Sequence, residues 1–225
     1  MERFADRFAL PGLELEWDPE TGAHSRQPHG AAQRRIDPVA LFPNAADLWL
    51  EIGFGGGEHL AATAAAHPDI GFIGCEHYVD GVAKLLSQIE KLNLANIRVH
   101  PHDARDALDA LPEASLGRVF LLYPDPWPKK RHWKRRFVSA ETLDALSRAM
   151  RRGAELRIAS DIPDYIRHCL SVLARRRREG VRDFLWTAER SQDWREPWPE
   201  WPGTKYERKA LEAGRTPCYL TFQRV

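Results

Sequence analysis

From Asp47 to the end of the chain, short runs of apolar residues alternate with stretches whose apolar positions recur at helical spacing. Runs that predict strands are DLWLEIG (47–53), IGFIGCE (70–76), NIRVH (96–100), GRVFLLY (117–123), AELRIAS (154–160), VRDFLW (181–186) and PCYLTFQ (217–223). Helical stretches fall between them, at 57–67, 79–94, from Asp103, at 139–150 and from Pro163 into RRRR. Strands that alternate with helices form βαβ units, which build a parallel sheet covered on both faces. We therefore predict an α/β fold with a doubly wound, mostly parallel sheet and an antiparallel C-terminal strand.

Residues 1–45 lack this pattern. Pro, Gly, His and Gln are scattered through TGAHSRQPHGAAQRRIDP (21–38), which is typical of loops and not of core elements. A chain of 225 residues fits one large domain, or one domain with an extension. We predict a partly flexible N-terminal arm (1–45), which is loose or lies across the domain, and a single domain formed by residues 46–225.

Charge and cysteine content limit the classes of protein to which this chain can belong. The net charge is +1 but basic residues are concentrated in a few segments, which favours one directed anionic site over general binding of polyanions. Cys75, Cys169 and Cys218 are far apart and form no C-x-x-C pair, which predicts reduced thiols in a cytoplasmic protein and no metal site. The N-terminal MERFADRFAL carries acids and lacks a long apolar core, so we do not expect a secretory signal there. No segment approaches the roughly 18 apolar residues of a membrane span. The choice between a monomer and a homodimer stays open.

A glycine-rich loop follows the first predicted strand in EIGFGGGEH (51–59), which includes Gly53 and Gly55. Such a loop lets a ligand approach the backbone closely. The dinucleotide fingerprint G-x-G-x-x-G would need glycine at position 58, where this chain has Glu58. Glu51 and Glu58 would repel a pyrophosphate, whereas they suit a cofactor that carries an ammonium and a sulfonium. S-adenosylmethionine is such a cofactor, and a nicotinamide enzyme is disfavoured.

Four consecutive predicted strands each end in an acid: Glu51, Glu76, Asp103 and Asp125. Ligands of doubly wound sheets bind beyond the carboxyl ends of the strands, so these carboxylates should converge on one cleft. Glu76 can accept both ribose hydroxyls, and Asp103 would lie beside an adenine. Simpler interpretations exist for single acids, since Asp103 can cap a helix and Glu76 can be a solvated strand end. Their shared position favours a cofactor site.

The segment after the fourth strand, PDPWPKKRHWKRRF (124–137), has six cations within eight positions and two tryptophans. A basic run is usually a solvated loop, but this one directly follows Asp125 at the predicted site. We interpret it as a surface for the RNA phosphate backbone, with Trp127 and Trp133 available to stack on a base. The run Arg175 to Arg178 instead ends a predicted helix, where cations complement the helix dipole, and we interpret it as a solvated helix end.

Six segments together resemble successive motifs of the tRNA (guanine-N7-)-methyltransferases: LEIGFGGGEHL, FIGCE, PHDARD, YPDPWPKKRHWKRRF, ASD and TKYE. The resemblance runs from about Leu48 to the C-terminus, and PDPWPKKRH is its most specific part. It implies a Rossmann-like class I methyltransferase fold and a cytoplasmic enzyme of tRNA modification. The implied reaction transfers a methyl group from S-adenosylmethionine to N7 of guanine in tRNA, at position 46 of the variable loop in bacterial members.

The resemblance also implies roles for single residues. The implied catalytic residue is Asp125. The implied cofactor contacts, with the two loop glycines beside them, are Glu51, Gly53, Gly55, Glu76, Asp103 and Asp125. The implied substrate contacts are Lys129, Asp161, Thr204, Lys205, Tyr206 and Glu207. The implied RNA contacts are Arg131, His132, Trp133, Lys134, Arg135 and Arg136.

The chemistry limits what Asp125 needs to do. Guanine N7 already carries a lone pair, so methyl transfer requires alignment and no base to create the nucleophile. We interpret Asp125 as a carboxylate that stabilises positive charge and orients the guanine, while proton transfer stays an alternative. Three implied substrate contacts also have local explanations. Thr204 and Glu207 fit a capping box, and Asp161 could cap the helix that begins at Pro163.

Two other functions stay open at this point. The first is an S-adenosylmethionine-dependent methyltransferase that acts on another RNA or on a protein, and the basic aromatic loop favours RNA. The second is a non-catalytic RNA-binding module with a degenerate cofactor pocket, which the full set of strand-end acids argues against.

Overall fold

The computed structural model describes residues 7–11 and 36–225, and the backbone alone of residues 17–18 and 23–24. The main sheet contains the strands β1 (Asp47–Ile52), β2 (Ile70–Cys75), β3 (Ile97–His100), β4 (Leu116–Leu122), β5 (Met150–Ser160), β6 (Phe184–Trp186) and β7 (Cys218–Arg224). Their spatial order is β3-β2-β1-β4-β5-β7-β6. Strands β1 to β5 are parallel, and β7 runs antiparallel to both β5 and β6. The predicted doubly wound sheet with an antiparallel C-terminal strand is confirmed.

Helices cover both faces of this sheet. The longer ones are α1 (Glu58–Ala66), α2 (Val79–Leu92), α3 (Ala104–Ala110), α4 (Ala140–Ala149), α5 (Pro163–Arg178) and α6 (Lys205–Glu212). Helices α1 and α2 contribute to one buried apolar cluster, whereas α3, α4 and α5 contribute to the other. Alternate residues of β1 enter the two clusters, because Leu48 and Leu50 point to one face and Trp49 to the other. Burial on both faces explains why the central strands are nearly continuous apolar runs.

The strand register brings the predicted site residues to one edge of the sheet. Ile52 at the end of β1 pairs with Cys75 of β2 and with Leu121 of β4. Cys75 pairs in turn with His100 at the end of β3. Residues that follow these strands therefore emerge at one level, which is where a doubly wound sheet binds its ligands.

Two strands begin three or four residues away from the start expected from the sequence, whereas the other strand ends differ by at most one residue. Strand β5 begins at Met150 instead of residue 154, and its pairing with β4 is irregular between Leu116 and Arg118. Gly153 lies inside this stretch with φ of +83°, a conformation that apolar periodicity does not reveal. Strand β6 begins at Phe184 instead of residue 181 and is only three residues long.

Part of the predicted N-terminal arm packs on the domain. Phe8 and Leu10 are buried, and Leu10 N donates to Val99 O of β3 at 2.9 Å. Ile36 is also buried, and its amide donates to Ala110 O at the end of α3 at 3.0 Å. The boundary between residues 45 and 46 stays a prediction, and most of the arm between residues 12 and 35 lies outside the described residues.

The arginine run at the end of α5 is not a uniformly solvated surface, and for Arg176 the interpretation from the sequence was wrong. This side chain is buried, and its Nη2 lies 2.5 Å from Asp144 Oδ1 and 2.6 Å from Asp183 Oδ2. The hydrogen bond to Asp183 is the main reason that the pKa of Arg176 is raised. Arg176 thus fastens α5 to α4 and to the segment before β6, whereas Arg175, Arg177 and Arg178 are exposed.

Candidate active site

The glycine loop between β1 and α1 has a backbone shape that suits a ligand. Gly53, Gly55 and Gly57 have φ of +69°, +58° and +78°, in the left-handed region that side chains disfavour. A Cβ on Gly53 would meet nothing within 4 Å, so open space borders the loop there. A Cβ on Gly81 in α2 would collide with the carbonyl of Gly55, so α2 packs directly on the loop. Sequence reasoning missed Gly81, although a lone glycine in a helical pattern is a signal for a close approach.

Glu76 connects the end of β2 to this loop. Its Oε2 accepts from Gly55 N at 2.7 Å, and its Oε1 accepts from Tyr78 N at 2.9 Å. Each carboxylate oxygen has a further lone pair for a ligand hydroxyl. The carboxylate is therefore held in place before any ligand binds.

Glu51 lies deeper than the other strand-end acids. It is buried, and its Oε2 is 2.6 Å from His59 Nδ1 in α1. The imidazole of His59 packs against Phe120 and Trp201, with ring centroids 4.9 Å and 4.8 Å away. The predicted contact between Glu51 and a cofactor stays a prediction, and its partner His59 was missed although it directly follows the glycine loop in GEHL.

Asp103 and Asp125 take different local roles at the same edge. Asp103 caps α3, because its Oδ1 accepts from Arg105 N at 3.0 Å, so the capping interpretation holds. Asp125 is exposed on the segment after β4. It lies between Tyr123 and Trp127, whose φ angles of +50° and +43° are unusual for aromatic residues. Strained backbone of this kind is concentrated at functional sites.

The basic segment forms a 3-10 helix, Lys130–Arg135, beside Asp125. Five of its cations are exposed: Lys129, Lys130, Arg131, Lys134 and Arg135. Trp133 is 38% exposed, and the guanidinium of Arg135 lies 4.8 Å from the ring centroid of Trp127. His132 meets the same indole edge-on with ring centroids 5.8 Å apart. The loop thus presents cations and aromatic rings together, as a nucleic-acid surface requires.

Arg136, the last cation of the segment, lies inside the fold. Its Nε donates to Pro126 O at 2.8 Å, and its Nη2 donates to Asp164 Oδ2 of α5 at 2.5 Å. The guanidinium also lies 4.8 Å from the ring centroid of Trp133. The hydrogen bond from Arg136 is the main reason that the pKa of Asp164 is lowered. The structure gives Arg136 contacts with its own chain, and its predicted RNA contact stays untested.

The TKYE segment begins α6 and approaches the cleft from the C-terminal half. Thr204 caps α6, because its Oγ1 accepts from Glu207 N at 3.0 Å. The Glu207 carboxylate accepts from Trp201 Nε1 at 2.8 Å and from the Tyr219 hydroxyl. These two bonds take the place of the bond to the Thr204 amide that the expected capping box would require. Tyr206 reaches across to the glycine loop, where a Cβ on Gly55 would stand 3.1 Å from its Cε2.

The two remaining predicted substrate residues have charged or aromatic neighbours. Asp161 Oδ2 accepts from Arg215 Nε at 2.5 Å, and no local pattern in the sequence indicated Arg215 as its partner. The Asp161 side chain is 11% exposed, so the ion pair takes up much of its surface. The ammonium of Lys205 lies 5.1 Å from the ring centroid of Tyr206.

Neither a metal site nor a membrane span emerges from the part of the chain that the structure describes. No three His, Cys, Asp or Glu side chains there are grouped so that they could hold a metal ion. No helix among the described residues has the length and apolar character needed to cross a membrane.

Solved structures of methyltransferases share the fold of this chain. The 16S rRNA methyltransferase KamB superposes with a TM-score of 0.60 at 19% identity, covering 82% of this chain and 91% of that chain. A mutant of the 16S rRNA (adenine(1408)-N(1))-methyltransferase from Catenulisporales acidiphilia, solved with cosubstrate SAM, has a TM-score of 0.54 at 16% identity and covers 87% and 96% of the two chains. At these identities the likeness concerns the fold alone.

Sequence relatives define the family. Residues 45–220 match a family model described as "Putative methyltransferase". A protein of Roseobacter denitrificans named tRNA (guanine-N(7)-)-methyltransferase is 54% identical over 192 residues, which is 85% of this chain and 79% of the relative. The chain belongs to the tRNA (guanine-N(7)-)-methyltransferase family, and the resemblance found in the motifs is confirmed.

The position of Arg136 predicts that it holds the basic loop in shape. Replacing Arg136 with Lys keeps the charge but loses the planar fork that bonds Pro126 O and Asp164 together. Because hydrogen bonds from a charged group are strong, amide exchange in residues 127–135 should become about tenfold faster. Hydrogen exchange followed by mass spectrometry measures this, with peptides from β1 and β4 as the internal reference.

The matched control is Arg135→Lys, which changes the neighbouring, exposed arginine in the same way. It should leave the exchange of the loop close to that of the wild type. Equal acceleration in the two variants would show that Arg136 does not anchor the loop.

Proposed function

We propose that this chain transfers a methyl group from S-adenosylmethionine to N7 of guanine in tRNA, at position 46 of the variable loop. The proposal is based on the arrangement of two loops at one edge of a methyltransferase sheet. The acid-lined glycine loop lies on one side of Asp125, and the exposed basic loop lies on the other. Family membership supports the reaction type, and the exposed cations support an RNA substrate. The cytoplasm is the proposed location, and the oligomeric state is left open.

The residues present fit a cationic methyl donor. Open space borders Gly53, and Glu76 is held by two amides with lone pairs left for ribose hydroxyls. Asp103 would lie beside the adenine, and Glu51 would add negative charge beneath the loop. When bound, S-adenosylmethionine supplies a methyl group that its own sulfonium charge activates.

Asp125 acts on the guanine in this proposal. N7 needs no base, so the contribution of the protein is to align N7 with the methyl group and to stabilise the purine as it becomes positively charged. A carboxylate can do both, by accepting from guanine N1–H and N2–H and by its negative charge. The unusual φ angles of Tyr123 and Trp127 on either side support a fixed direction for this side chain.

The basic loop brings the polyanion to the site. Five exposed cations, Lys129, Lys130, Arg131, Lys134 and Arg135, can neutralise phosphates near the target nucleotide. Trp133 offers an exposed face to an unstacked base, and base stacking on an aromatic ring is worth about 1–3 kcal/mol. Some local opening of the RNA fits this arrangement, because a deep site does not reach the N7 of a stacked guanine.

A methyl-transfer assay tests the function directly. The protein is incubated with labelled S-adenosylmethionine and an unmodified tRNA transcript, and the modified nucleoside is then identified and mapped. We expect 7-methylguanosine at position 46, and no label when that guanosine is replaced by adenosine. A methyl group on another atom, transfer to ribosomal RNA alone, or no transfer would contradict the proposal.

Asp125→Asn tests the charge of the catalytic carboxylate. The amide has nearly the same shape but carries no negative charge, so the transition state loses its electrostatic partner. The single-turnover rate should fall roughly 100-fold, by analogy with the loss of one preorganised group elsewhere. Rapid-quench kinetics with saturating tRNA measure the change.

The control for this variant is Glu113→Gln, an exposed carboxylate close to the amino-terminal end of β4 and thus at the opposite edge of the sheet. Its rate should match that of the wild type. Full methyl transfer by Asp125→Asn would show that the negative charge is not needed.

Salt dependence tests the basic loop. With five phosphate contacts, the logarithm of the tRNA association constant should fall against the logarithm of salt with a slope of about −3.5 to −4.5. Arg131→Gln removes one contact and should reduce the magnitude of the slope by about 0.7–0.9. Filter binding over a range of potassium chloride concentrations measures both values.

Arg175→Gln is the matched control, because it removes an exposed arginine at the far end of α5. Its slope should equal that of the wild type. If Arg131→Gln and Arg175→Gln reduce the slope equally, the positive charge of the protein acts without a defined RNA surface.

A further inference from the structure

Tyr206 touches the glycine loop from the opposite half of the domain. It is the second residue of α6, and its ring reaches Gly55, where a Cβ would stand 3.1 Å from Cε2 and 3.7 Å from the hydroxyl oxygen. Gly55 is also the residue whose amide donates to Glu76. The edge of the Tyr206 ring therefore lies against the backbone of Gly55, whose amide is hydrogen-bonded to the predicted cofactor-binding carboxylate of Glu76.

The start of α6 holds Tyr206 in this position. Thr204 caps the helix, and Glu207 accepts from Trp201 Nε1 and from the hydroxyl of Tyr219 in β7. Trp201 and Tyr219 also pack together with ring centroids 6.0 Å apart. These contacts fix the start of α6 to the sheet. They therefore also fix the position of Tyr206, whose side chain extends across the cleft.

The surroundings of the Tyr206 ring are acidic. Burial is the main reason that the pKa of Tyr206 is raised, and the carboxylates of Glu76, Asp125 and Glu58 raise it further. These acids come from three separate segments at the carboxyl edge of the sheet. The side chain is nevertheless 43% exposed, so the ring keeps free surface beside the cleft.

An aromatic ring in an acid-lined cleft suits a cationic ligand. Ring faces attract cations within about 6 Å, and the Lys205 ammonium already lies 5.1 Å from the centroid of Tyr206. Two cations, Lys205 and Lys84, act near the ring, but the three carboxylates outnumber them, which disfavours the phosphates of an RNA there. The side chain thus matches the sulfonium and ammonium of the methyl donor better than it matches the RNA.

We infer that Tyr206 is a cofactor-binding residue, whose ring covers the methyl donor where it lies on the glycine loop. The inference rests on the proposed function. It moves Tyr206 from the substrate contacts, where the motif placed it, to the donor site. The other members of TKYE support this position through the cap at Thr204 and the hydrogen bonds of Glu207.

Direct binding of S-adenosylmethionine in the absence of tRNA tests the inference. Equilibrium dialysis with the labelled donor should show roughly tenfold weaker binding for Tyr206→Ala, as expected for the loss of one cation–π and covering contact. Tyr206→Phe keeps the ring and should stay within about threefold of the wild type. The control Leu211→Ala shortens an exposed apolar side chain of the same helix and should bind the donor as the wild type does.

A second measurement distinguishes a role of Tyr206 in binding the donor from a role in binding tRNA. Binding of tRNA to Tyr206→Ala without the donor should equal that of the wild type. Unchanged donor affinity in Tyr206→Ala overturns the inference, whatever happens to tRNA binding. If Tyr206→Ala melts at a lower temperature than the wild type, Tyr206→Leu takes its place, because leucine keeps bulk on Gly55 without a ring.

The result for the wild type separates this inference from the function it rests on. A wild-type protein that binds no S-adenosylmethionine overturns the proposed function and the role of Tyr206 with it. A wild-type protein that binds the donor, together with a Tyr206→Ala variant that binds it equally well, overturns the role of Tyr206 alone.

Discussion

The arrangement of the site depends on the carboxylate of Glu76, which joins the ends of β1 and β2. One oxygen accepts from Gly55 N and the other from Tyr78 N, so a single side chain fixes the glycine loop to the start of α2. Two close approaches accompany this geometry: Gly81 brings α2 against the Gly55 carbonyl, and Tyr206 reaches Gly55 from α6. A side chain at Gly81 would collide and one at Gly55 would be crowded, so these glycines are required by packing as well as by φ. The loop is therefore rigid and its donors are aimed before a ligand arrives, which reduces the ordering cost of binding.

The shape of the basic loop also depends on one side chain. Of its six cations, one is buried and bonded to the rest of the fold, and the other five are exposed. Arg136 is the buried cation, and a guanidinium can bond a carbonyl and a carboxylate at once through its planar fork. Its contacts to Pro126 and Asp164 join the segment after Asp125 to α5. The remaining cations can then be presented on a short 3-10 turn without a long helix to support them. An anchored loop also keeps Asp125 at a constant distance from the proposed RNA-binding surface.

Local pattern was enough to predict the sheet and the placement of its strand-end acids. The 2.0 and 3.6 periodicities are properties of neighbouring residues, and parallel pairing follows from βαβ connections. Pairings between distant residues could not be predicted in this way. Arg215 and Asp161 are 54 positions apart and Arg136 and Asp164 are 28 apart, so no window of sequence contains both members with their geometry. The run RRRR shows the limit most clearly, because four identical residues include one that is buried and three that are exposed.

The net charge of +1 conceals two regions of opposite sign that meet at Asp125. In the proposed reaction the cofactor is a cation and the substrate is a polyanion, so each needs a surface that would repel the other. Asp125 follows β4, and Lys129 begins the cations only four residues later. A regular helix or strand over this short distance would mix the two sets of charges along one face. Positive φ at Tyr123 and Trp127 instead turns the chain sharply on both sides of the acid, and the backbone strain there is the structural cost of keeping the two surfaces apart.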